Sequence, residues 1–294
     1  MLSKINSFGL LGITGYPVSV EVDISGGLPA FELVGLPDAA VKEARERVRS
    51  ALKNSGYEYP AQRITVNLAP ADMKKEGPMY DLPMAVGMLA AMEALPKENI
   101  EPFCILGELS LDGTLRPVSG VLAMAIEAYK QGCRKMLVPY ENAAEASYVE
   151  GLEVYGCRSL NEAAQFLKGA VTLHRQVAAS WESLPRSTDG YGDFSQIKGQ
   201  QGAKRAMEIA AAGGHNILLI GPPGTGKTML AKALNGILPS LTFEEALEIT
   251  KIQSVAGQLR AEEAGMVTQR PFRAPHHSIS TAALTGGSAK ARPG

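Results

Sequence analysis

One eight-residue segment constrains the fold of this 294-residue chain more strongly than any other feature of the sequence. It fits the pattern GxxxxGK followed by Ser or Thr, and it reads Gly221-Pro222-Pro223-Gly224-Thr225-Gly226-Lys227-Thr228. The apolar residues 216–220 before it predict a buried parallel strand, and residues 228–234 after it predict a helix. A strand, a glycine-rich loop and a helix in this order predict an α/β module in the C-terminal part of the chain.

This arrangement suits the binding of phosphate groups. Glycines let consecutive backbone N–H groups converge on phosphate oxygens, and the helix N-terminus adds the positive end of its dipole. The ammonium group of Lys227 can reach the β- and γ-phosphates, and the Thr228 hydroxyl suits a Mg²⁺ ion that bridges phosphate oxygens. We therefore predict a nucleoside triphosphate and Mg²⁺ as cofactors, with Thr228 serving the metal through the nucleotide. The predicted nucleotide-binding residues of this segment are Gly221, Pro222, Pro223, Gly224, Thr225, Gly226, Lys227, Thr228 and Met229.

The N-terminal part of the chain has a different pattern, in which strands and helices mix without strict alternation. Apolar and polar residues alternate over residues 18–24, which predicts a strand with one buried face, and residues 31–34 are predicted to be its partner. Helical spacing follows Asp38, whose side chain can cap the first N–H groups of that helix. Asp112-Gly113 predicts the turn of a hairpin with arms over residues 105–111 and 114–118. These elements predict an α+β domain over residues 1–168.

A linker is predicted between this domain and the glycine-rich loop. A capping box at residues 159–162 begins the last helix of the first domain, and periodicity weakens after that helix. Ser, Pro, Thr, Asp and Gly then become frequent, which is typical of a linker. We therefore predict a linker over residues 169–191 and a second domain over residues 192–294.

The formal net charge of −1 hides two halves of opposite sign. Residues 190–294 contain 11 Lys and Arg against 7 Asp and Glu, a net charge of +4, whereas residues 1–189 contain 18 against 23, a net charge of −5. The balance excludes a strongly basic nucleic-acid-binding protein. Three cysteines without a CxxC pair, and the lack of an apolar leader or of a membrane-spanning run, predict a cytoplasmic protein with no membrane partner.

Longer strings around the loop carry a family resemblance. The segment Phe194-Ser195-Gln196-Ile197-Lys198-Gly199-Gln200, a helix, a short strand and the loop together resemble the start of an AAA+ ATPase module. Two further strings resemble the magnesium-chelatase-like branch of these proteins. They are Glu208-Ile209-Ala210-Ala211-Ala212-Gly213-Gly214-His215-Asn216 and Arg270-Pro271-Phe272-Arg273-Ala274-Pro275-His276-His277-Ser278. With its N-terminal region included, the chain resembles the YifB/ComM family. The resemblance implies that the nucleotide is ATP, that full-length subunits form a homo-oligomeric ring, a hexamer, and that the adenine pocket is lined by Ile197, Lys198, Gly199 and Gln200.

The N-terminal domain resembles the Lon protease domain, which has a ribosomal S5-like fold, over residues 75–81 and 107–122. Active Lon-type peptidases place a nucleophilic serine where Met79 stands and a lysine base where Leu122 stands. A thioether cannot attack a carbonyl as an alkoxide does and Leu cannot accept a proton, so we predict no peptidase activity. Assembly, partner binding or nucleic-acid contact remain as roles for this domain. Lys74 and Lys75 are interpreted as solvated loop charges, with anion binding as the alternative.

The sequence shows no carboxylate in the position that ATP hydrolysis needs. Hydrolysis requires a strand that ends in acidic residues, of which one polarises water and one serves Mg²⁺. No Asp follows Asp193, and none of the six later Glu residues follows a four-residue apolar strand. We therefore identify no catalytic residue. We expect the chain to be a truncated piece that holds the first part of an AAA+ module, with ATP hydrolysis absent or very slow.

A basic segment near the C-terminus bears on whether the protein binds DNA. It contains His276 and His277 together with Arg260, Arg270, Arg273, Lys290 and Arg292. In the AAA+ branch that the chain resembles, this region forms an insertion near the pore that can contact DNA phosphates, and an ordinary solvated loop is the alternative. Two adjacent histidines on a strand would point to opposite faces, so no metal site is predicted there.

The resemblance implies that the full-length protein is an ATP-driven DNA helicase or branch-migration motor that acts in competence and recombination. Two other functions stay open. One is a magnesium-chelatase-like ATPase that remodels a protein partner. The other is a non-catalytic nucleotide-binding module, because the acidic residues of hydrolysis are not visible.

Overall fold

The computed structural model describes residues 1–185, 192–259 and 265–287, and these form two compact units. The first unit comprises the described residues of Met1–Ala179, Thr250–Met266 and Thr281–Gly294, and the second comprises those of Ser180–Ile249 and Val267–Ser280. None of the helices in the described ranges is both long enough and apolar enough to cross a membrane.

The described residues form ten strands. They are β1 (Leu2–Leu11), β2 (Thr14–Ser25), β3 (Ala30–Val34), β4 (Arg63–Ala69), β5 (Phe103–Ile105), β6 (Glu108–Leu109), β7 (Leu115–Arg116), β8 (Lys135–Pro139), β9 (Glu153–Cys157) and β10 (Arg175–Gln176). Eight of them belong to one sheet of the first unit, in the order β10-β9-β8-β5-β1-β2-β4-β3, and β6 pairs with β7 in a small hairpin.

The helices follow the same chain order. In the N-terminal part they are α1 (Ala39–Lys42), α2 (Ala44–Asn54), α3 (Asp81–Ala91), α4 (Lys97–Ile100), α5 (Val121–Lys130), α6 (Tyr140–Ser147) and α7 (Leu160–Leu167). Four more are described further along the chain: α8 (Gln201–Gly213), α9 (Lys227–Ile237), α10 (Phe243–Val255) and α11 (Thr281–Thr285).

One half of the sheet is built on the long antiparallel pair β1 and β2. The predicted alternation is confirmed in β2, where Val18, Val20 and Val22 are buried and pack on the helical side of the sheet. The predicted pairing of residues 31–34 with this strand is wrong. Strand β3 pairs with β4 instead, in parallel, with Phe31 opposite Ile64. Helices α1 and α2 supply the long crossover that two parallel strands need.

The other half of the sheet is parallel. Strands β5, β8 and β9 pair in parallel, and α5 and α6 lie between them in the sequence. The parallel pairing of β1 with β5 joins the two halves, with Asn6 opposite Cys104. A sheet that mixes an antiparallel half with a parallel half confirms the predicted α+β class.

The helix caps and the hairpin turn that the sequence predicts are present. Asp38 caps α1, because its carboxylate accepts a hydrogen bond from the Val41 N–H at 2.8 Å. The Ser159 hydroxyl accepts one from the Glu162 N–H at 3.1 Å at the start of α7. Gly113 has a φ of 87° in the predicted turn between β6 and β7. The arms of that hairpin are shorter than predicted, because Ile105 pairs in the main sheet as part of β5.

A separate small core holds the second unit together. It consists of the buried side chains of Phe194, Ile197, Met207, Leu230 and Ala233. These side chains come from the turn before α8 and from the inner faces of α8 and α9. This core fixes the direction in which α9 leaves the glycine-rich loop.

The predicted strand over residues 216–220 is wrong for the described chain. These residues form no strand, and Leu218 and Ile220 are 81% and 87% exposed, whereas Ile217 and Leu219 pack on the core of the second unit. The side chains of this stretch therefore alternate between exposed and covered, so that one side of it packs on the core. A buried parallel strand needs hydrogen-bonding neighbours on its edges, and none of the described strands pairs with these residues.

An ion pair ties the helices of the first unit together. The Arg47 side chain donates to both oxygens of Asp81, from Nε at 2.6 Å and from Nη2 at 3.0 Å, and Nη2 also donates to the Ala40 carbonyl. The Leu109 N–H donates to Asp81 at 3.2 Å. The Asp81 side chain is fully buried, and this burial raises the pKa of its carboxyl to about 6, although the hydrogen bonds from Arg47 lower it.

We predict that Arg47→Ala destabilises the first unit by about 3 kcal/mol at pH 8, because it leaves a buried carboxylate without its cation. The folded-state pKa of Asp81 lies above its ordinary value of 3.8, so the folded state favours the protonated form, and the contribution of this group to stability falls as pH rises between these values. The variant therefore loses less stability at pH 5 than at pH 8. Urea unfolding at both pH values measures the difference.

Arg45→Ala is the matched control for this prediction. Arg45 lies in the same helix, and its side chain is 51% exposed beside Glu46. We expect its removal to change stability by less than about 1 kcal/mol at either pH. Equal losses in the two variants would show that the Arg47–Asp81 pair does not hold the helices together.

Candidate nucleotide-binding site

The glycine-rich loop, residues 221–226, leads directly into α9, which begins at Lys227. Gly224 and Gly226 have φ values of 79° and 85°, in the left-handed region that glycine enters without a steric penalty. Gly226 is the N-cap of α9, and within the described part of the chain no side chain caps this end and no acidic residue lies in its first turn. The first N–H groups of α9 therefore have no partner from the helix or from a cap.

The side chain of Lys227 folds back over this loop. Its ammonium group donates to the carbonyl oxygens of Gly221 and Pro222, each at 2.7 Å, and lies 3.4 Å from the Thr225 hydroxyl. The Thr225 hydroxyl donates to the Pro222 carbonyl at 2.9 Å. A cation and the uncapped helix end thus flank the same short loop, and both carry positive charge.

The rest of α9 is anchored from below. Leu230 and Ala233 are buried in the core of the second unit, and the Leu230 N–H donates to the Gly226 carbonyl at 2.9 Å. Thr228 and Met229 are exposed beside the loop. The helix therefore presents its first turn to solvent while its next turn is held in place.

The other predicted nucleotide-binding residues lie in the turn before α8. Ile197 is buried in the same core as Leu230, and its carbonyl accepts a hydrogen bond from Lys204. Lys198 and Gly199 are exposed, and Gly199 has a φ of 70°. The structure thus connects Ile197 to the helix that carries Lys227, and the assignment of residues 197–199 to an adenine pocket stays a prediction.

The basic segment is only partly described. Arg260, Lys290 and Arg292 lie outside the described residues. Arg270 is held within the second unit, where it donates to Glu245 at 2.8 Å and to the Pro239 carbonyl at 2.8 Å. Its charge is therefore balanced by a carboxylate.

The two adjacent histidines of this segment do not point to opposite faces. The ring centroids of His276 and His277 lie 4.0 Å apart, and His276 Nδ1 is 2.7 Å from the Ser278 hydroxyl. The expectation fails because this stretch contains a turn rather than a strand. Among the described residues, no group of three or more His, Cys, Asp or Glu side chains is placed to hold a metal ion.

At the two peptidase positions, the structure shows apolar side chains in packed surroundings. Met79 and Leu122 are both buried, and neither can supply a nucleophile or a base. The interpretation of Lys75 as a solvated charge is wrong. Its side chain is fully buried, and its ammonium group donates to the carbonyl oxygens of Pro70 and Met73, so it closes a loop. Burial lowers the pKa of Lys75, whereas Lys74 pairs with Glu76 at 2.8 Å at the surface.

Comparison with known proteins places the chain among magnesium-chelatase-like proteins. The family model described as subunit ChlI of Mg-chelatase matches residues 20–142, and the model described as magnesium chelatase, subunit ChlI, matches residues 193–294. The uncharacterized protein YifB of Salmonella typhimurium is 48% identical over the whole chain, which covers 56% of that protein. The competence protein ComM of Haemophilus influenzae is 46% identical over the whole chain, which covers 57% of that protein.

The N-terminal part has a second, more distant similarity. Lon protease 2 of Bacillus subtilis is 29% identical over 155 residues, which are 52% of this chain and 26% of that protein. The similarity fits the mixed sheet of the first unit and confirms the Lon-like part of the predicted fold class. The chain spans just over half the length of the YifB and ComM proteins that it matches. Because the full chain aligns with both of these proteins and its two parts match the ChlI family models, the chain belongs to the YifB/ComM family of magnesium-chelatase-like proteins.

Proposed function

We propose that residues 221–229 bind ATP with Mg²⁺, and that in the whole protein ATP hydrolysis drives movement on DNA. The observation that carries the first part is the uncapped start of α9 behind two left-handed glycines, with the Lys227 ammonium group over the loop. A helix end without a cap has free N–H donors and a positive dipole end, and both favour a phosphate.

The residues present fit a triphosphate nucleotide. The donors of this site are backbone N–H groups, an ammonium group and two hydroxyls, and no carboxylate lies in the first turn of α9 to repel an anion. The loop glycines leave room for close approach, since a Cβ at Gly224 would meet no other atom within 4 Å. The exposed position of Thr228 suits a hydroxyl ligand to Mg²⁺.

Each group of this chain has a distinct role in the proposal. The N–H groups of the loop and of the first turn of α9 bind phosphate oxygens, and Lys227 adds a point charge to the β- and γ-phosphates. When bound, Mg²⁺ would neutralise part of the negative charge of the phosphates. The buried Leu230 and Ala233 keep the donors aimed in one direction. The carboxylates that activate water for hydrolysis are assigned to none of the described residues.

The DNA part of the proposal rests on charge and on one named relative. Residues 190–294 carry a net charge of +4, and the chain is similar to a protein named for competence. A magnesium-chelatase-like ATPase that remodels a protein partner is the alternative, and the likeness to magnesium chelatase subunit ChlI is what suggests it. The two functions differ in the salt dependence of DNA binding, which is a direct consequence of counterion release.

We predict that Lys227→Ala weakens ATP binding by about 10- to 100-fold, because a charge-assisted hydrogen bond to phosphate contributes about 1.5–3 kcal/mol. Titration of the 294-residue chain with a fluorescent ATP analogue and Mg²⁺ measures the dissociation constant.

Lys232→Ala is the control for charge alone. Lys232 lies on the same helix and is exposed, so this variant loses the same charge at a distance from the loop. We expect its affinity to stay within about twofold of the unchanged chain. An affinity for ATP that is equal in both variants would remove Lys227 from the site.

For DNA, we predict that the affinity of the chain for a duplex falls at least about tenfold between about 50 and 200 mM salt. Fluorescence anisotropy with a labelled duplex measures the slope. An affinity that does not change with salt, or no binding at about 50 mM salt, would contradict the DNA motor and favour a protein partner.

A further inference from the structure

A groove in the first unit lies beside the two positions at which Lon-type peptidases carry their catalytic residues. Met79 lies in the wall of a cavity of about 250 Å³. Residues 117–119 line this cavity and also a second one of about 350 Å³. Leu122 is the second residue of α5 and follows this shared wall by three positions.

The C-terminal end of α10 and the turn after it close one side of this groove. Val255 and Ala256 line the first cavity, and Ser254 and Gly257 line the second. These four residues belong to Thr250–Met266, which is part of the first unit. The site that has lost its peptidase residues is therefore in contact with a peptide segment.

The groove holds this segment by its backbone. The N–H of Gly120 donates to the carbonyl oxygen of Ser254 at 2.9 Å. Gly120 immediately precedes α5 and lies two residues before Leu122. Ser254 lies in the last turn of α10, where carbonyl oxygens have no i+4 partner inside the helix, and the Gly120 N–H supplies a partner for this one.

Specificity comes from a buried carboxylate. The Ser254 hydroxyl donates to Glu145, whose carboxylate also accepts the Leu122 N–H at 3.2 Å and the Asn142 side-chain amide at 2.7 Å. Glu145 and Ser254 are both buried, and burial raises the pKa of Glu145. A buried acceptor that faces three donors favours a hydroxyl at position 254 over an apolar side chain.

The fourth residue of the segment must be small. Gly257 has a φ of 67°, and a Cβ on it would lie 3.1 Å from the Ser119 hydroxyl. Both the backbone conformation and the close approach favour glycine at this position. The groove thus contacts three features of the segment: a carbonyl, a hydroxyl on the same residue, and a glycine three residues later.

We propose that the degenerate peptidase groove is a receptor for the chain's own segment Ser254-Val255-Ala256-Gly257, and that it binds this Ser-x-x-Gly pattern instead of cleaving peptides. The Gly120 N–H binds the Ser254 carbonyl, the Glu145 carboxylate binds the Ser254 hydroxyl, and the close approach of Ser119 favours glycine at position 257. The inference does not depend on nucleotide binding, and its test contains no nucleotide.

Hydrogen exchange at single amides of the full chain tests the proposal. In Ser254→Ala, we expect the Gly120 amide to exchange about tenfold faster or more, because the segment that covers it loses its bond to Glu145. The Glu153 amide is the internal reference. It donates to the Arg134 carbonyl at 2.9 Å, neither residue lines the groove, and its exchange rate should stay unchanged.

Gly257→Ala provides a second variant with a matched control. We expect it to accelerate exchange at Gly120 as well, whereas Gly132→Ala should not. Gly132 has a φ of 91° and no atom within 4 Å of its would-be Cβ, so this control carries the backbone strain without the contact. Unchanged exchange at Gly120 in both Ser254→Ala and Gly257→Ala would overturn the proposal. Equal acceleration at Gly120 and Glu153 would overturn it too, because the segment would then support the fold as a whole.

Discussion

A helix that begins directly after a glycine-rich loop has backbone N–H groups that nothing inside the helix can satisfy, and this constraint governs the second unit. Gly226 sets the start of α9, and Lys227 is its first residue. Because Leu230 and Ala233 are fixed in the core with Ile197, the free donors keep one direction. The resulting concentration of positive charge at one exposed loop is the physical basis of the proposed nucleotide site.

The first unit shows how a Lon-like sheet can persist without peptidase residues. Met79 and Leu122 pack as ordinary apolar side chains, and the surrounding loops are fixed by buried polar groups instead. Asp81 is held by Arg47 next to Met79, and Lys75 satisfies two loop carbonyls. The groove that remains is closed on one side by the end of α10, where Ser254 contacts Glu145 and Gly120.

Local signals in the sequence predicted local structure well. The caps at Asp38 and Ser159, the alternation in β2 and the glycine-rich loop each depend on residues within a few positions of one another. Pairings between distant segments could not be predicted in this way. The parallel partner of β3 lies beyond two helices, and the strand expected over residues 216–220 depends on neighbours that the described residues do not provide.

Buried polar residues were the other failure of prediction. Lys75 and Glu145 look like surface residues in the sequence, because hydropathy treats both as solvated. Glu145 can be buried because its hydrogen-bond partner Ser254, 109 positions away in the sequence, lies beside it in the fold. Lys75 can be buried because backbone carbonyl oxygens accept its hydrogen bonds. A Gly-Pro run followed by Lys-Thr can be recognised from spacing alone, whereas a carboxylate satisfied by a hydroxyl and two amides cannot.

In the proposed site, the free N–H groups at the start of α9 bind the phosphates of ATP. Residue-resolved hydrogen exchange at residues 224–228, with ATP and Mg²⁺ present or absent, measures those donors directly. We expect their amides to exchange at least about tenfold more slowly when ATP and Mg²⁺ are added, and adenosine, which has no phosphate, to leave them unchanged. Exchange at these amides that is the same with saturating ATP as without it would show that the start of α9 does not bind the phosphates.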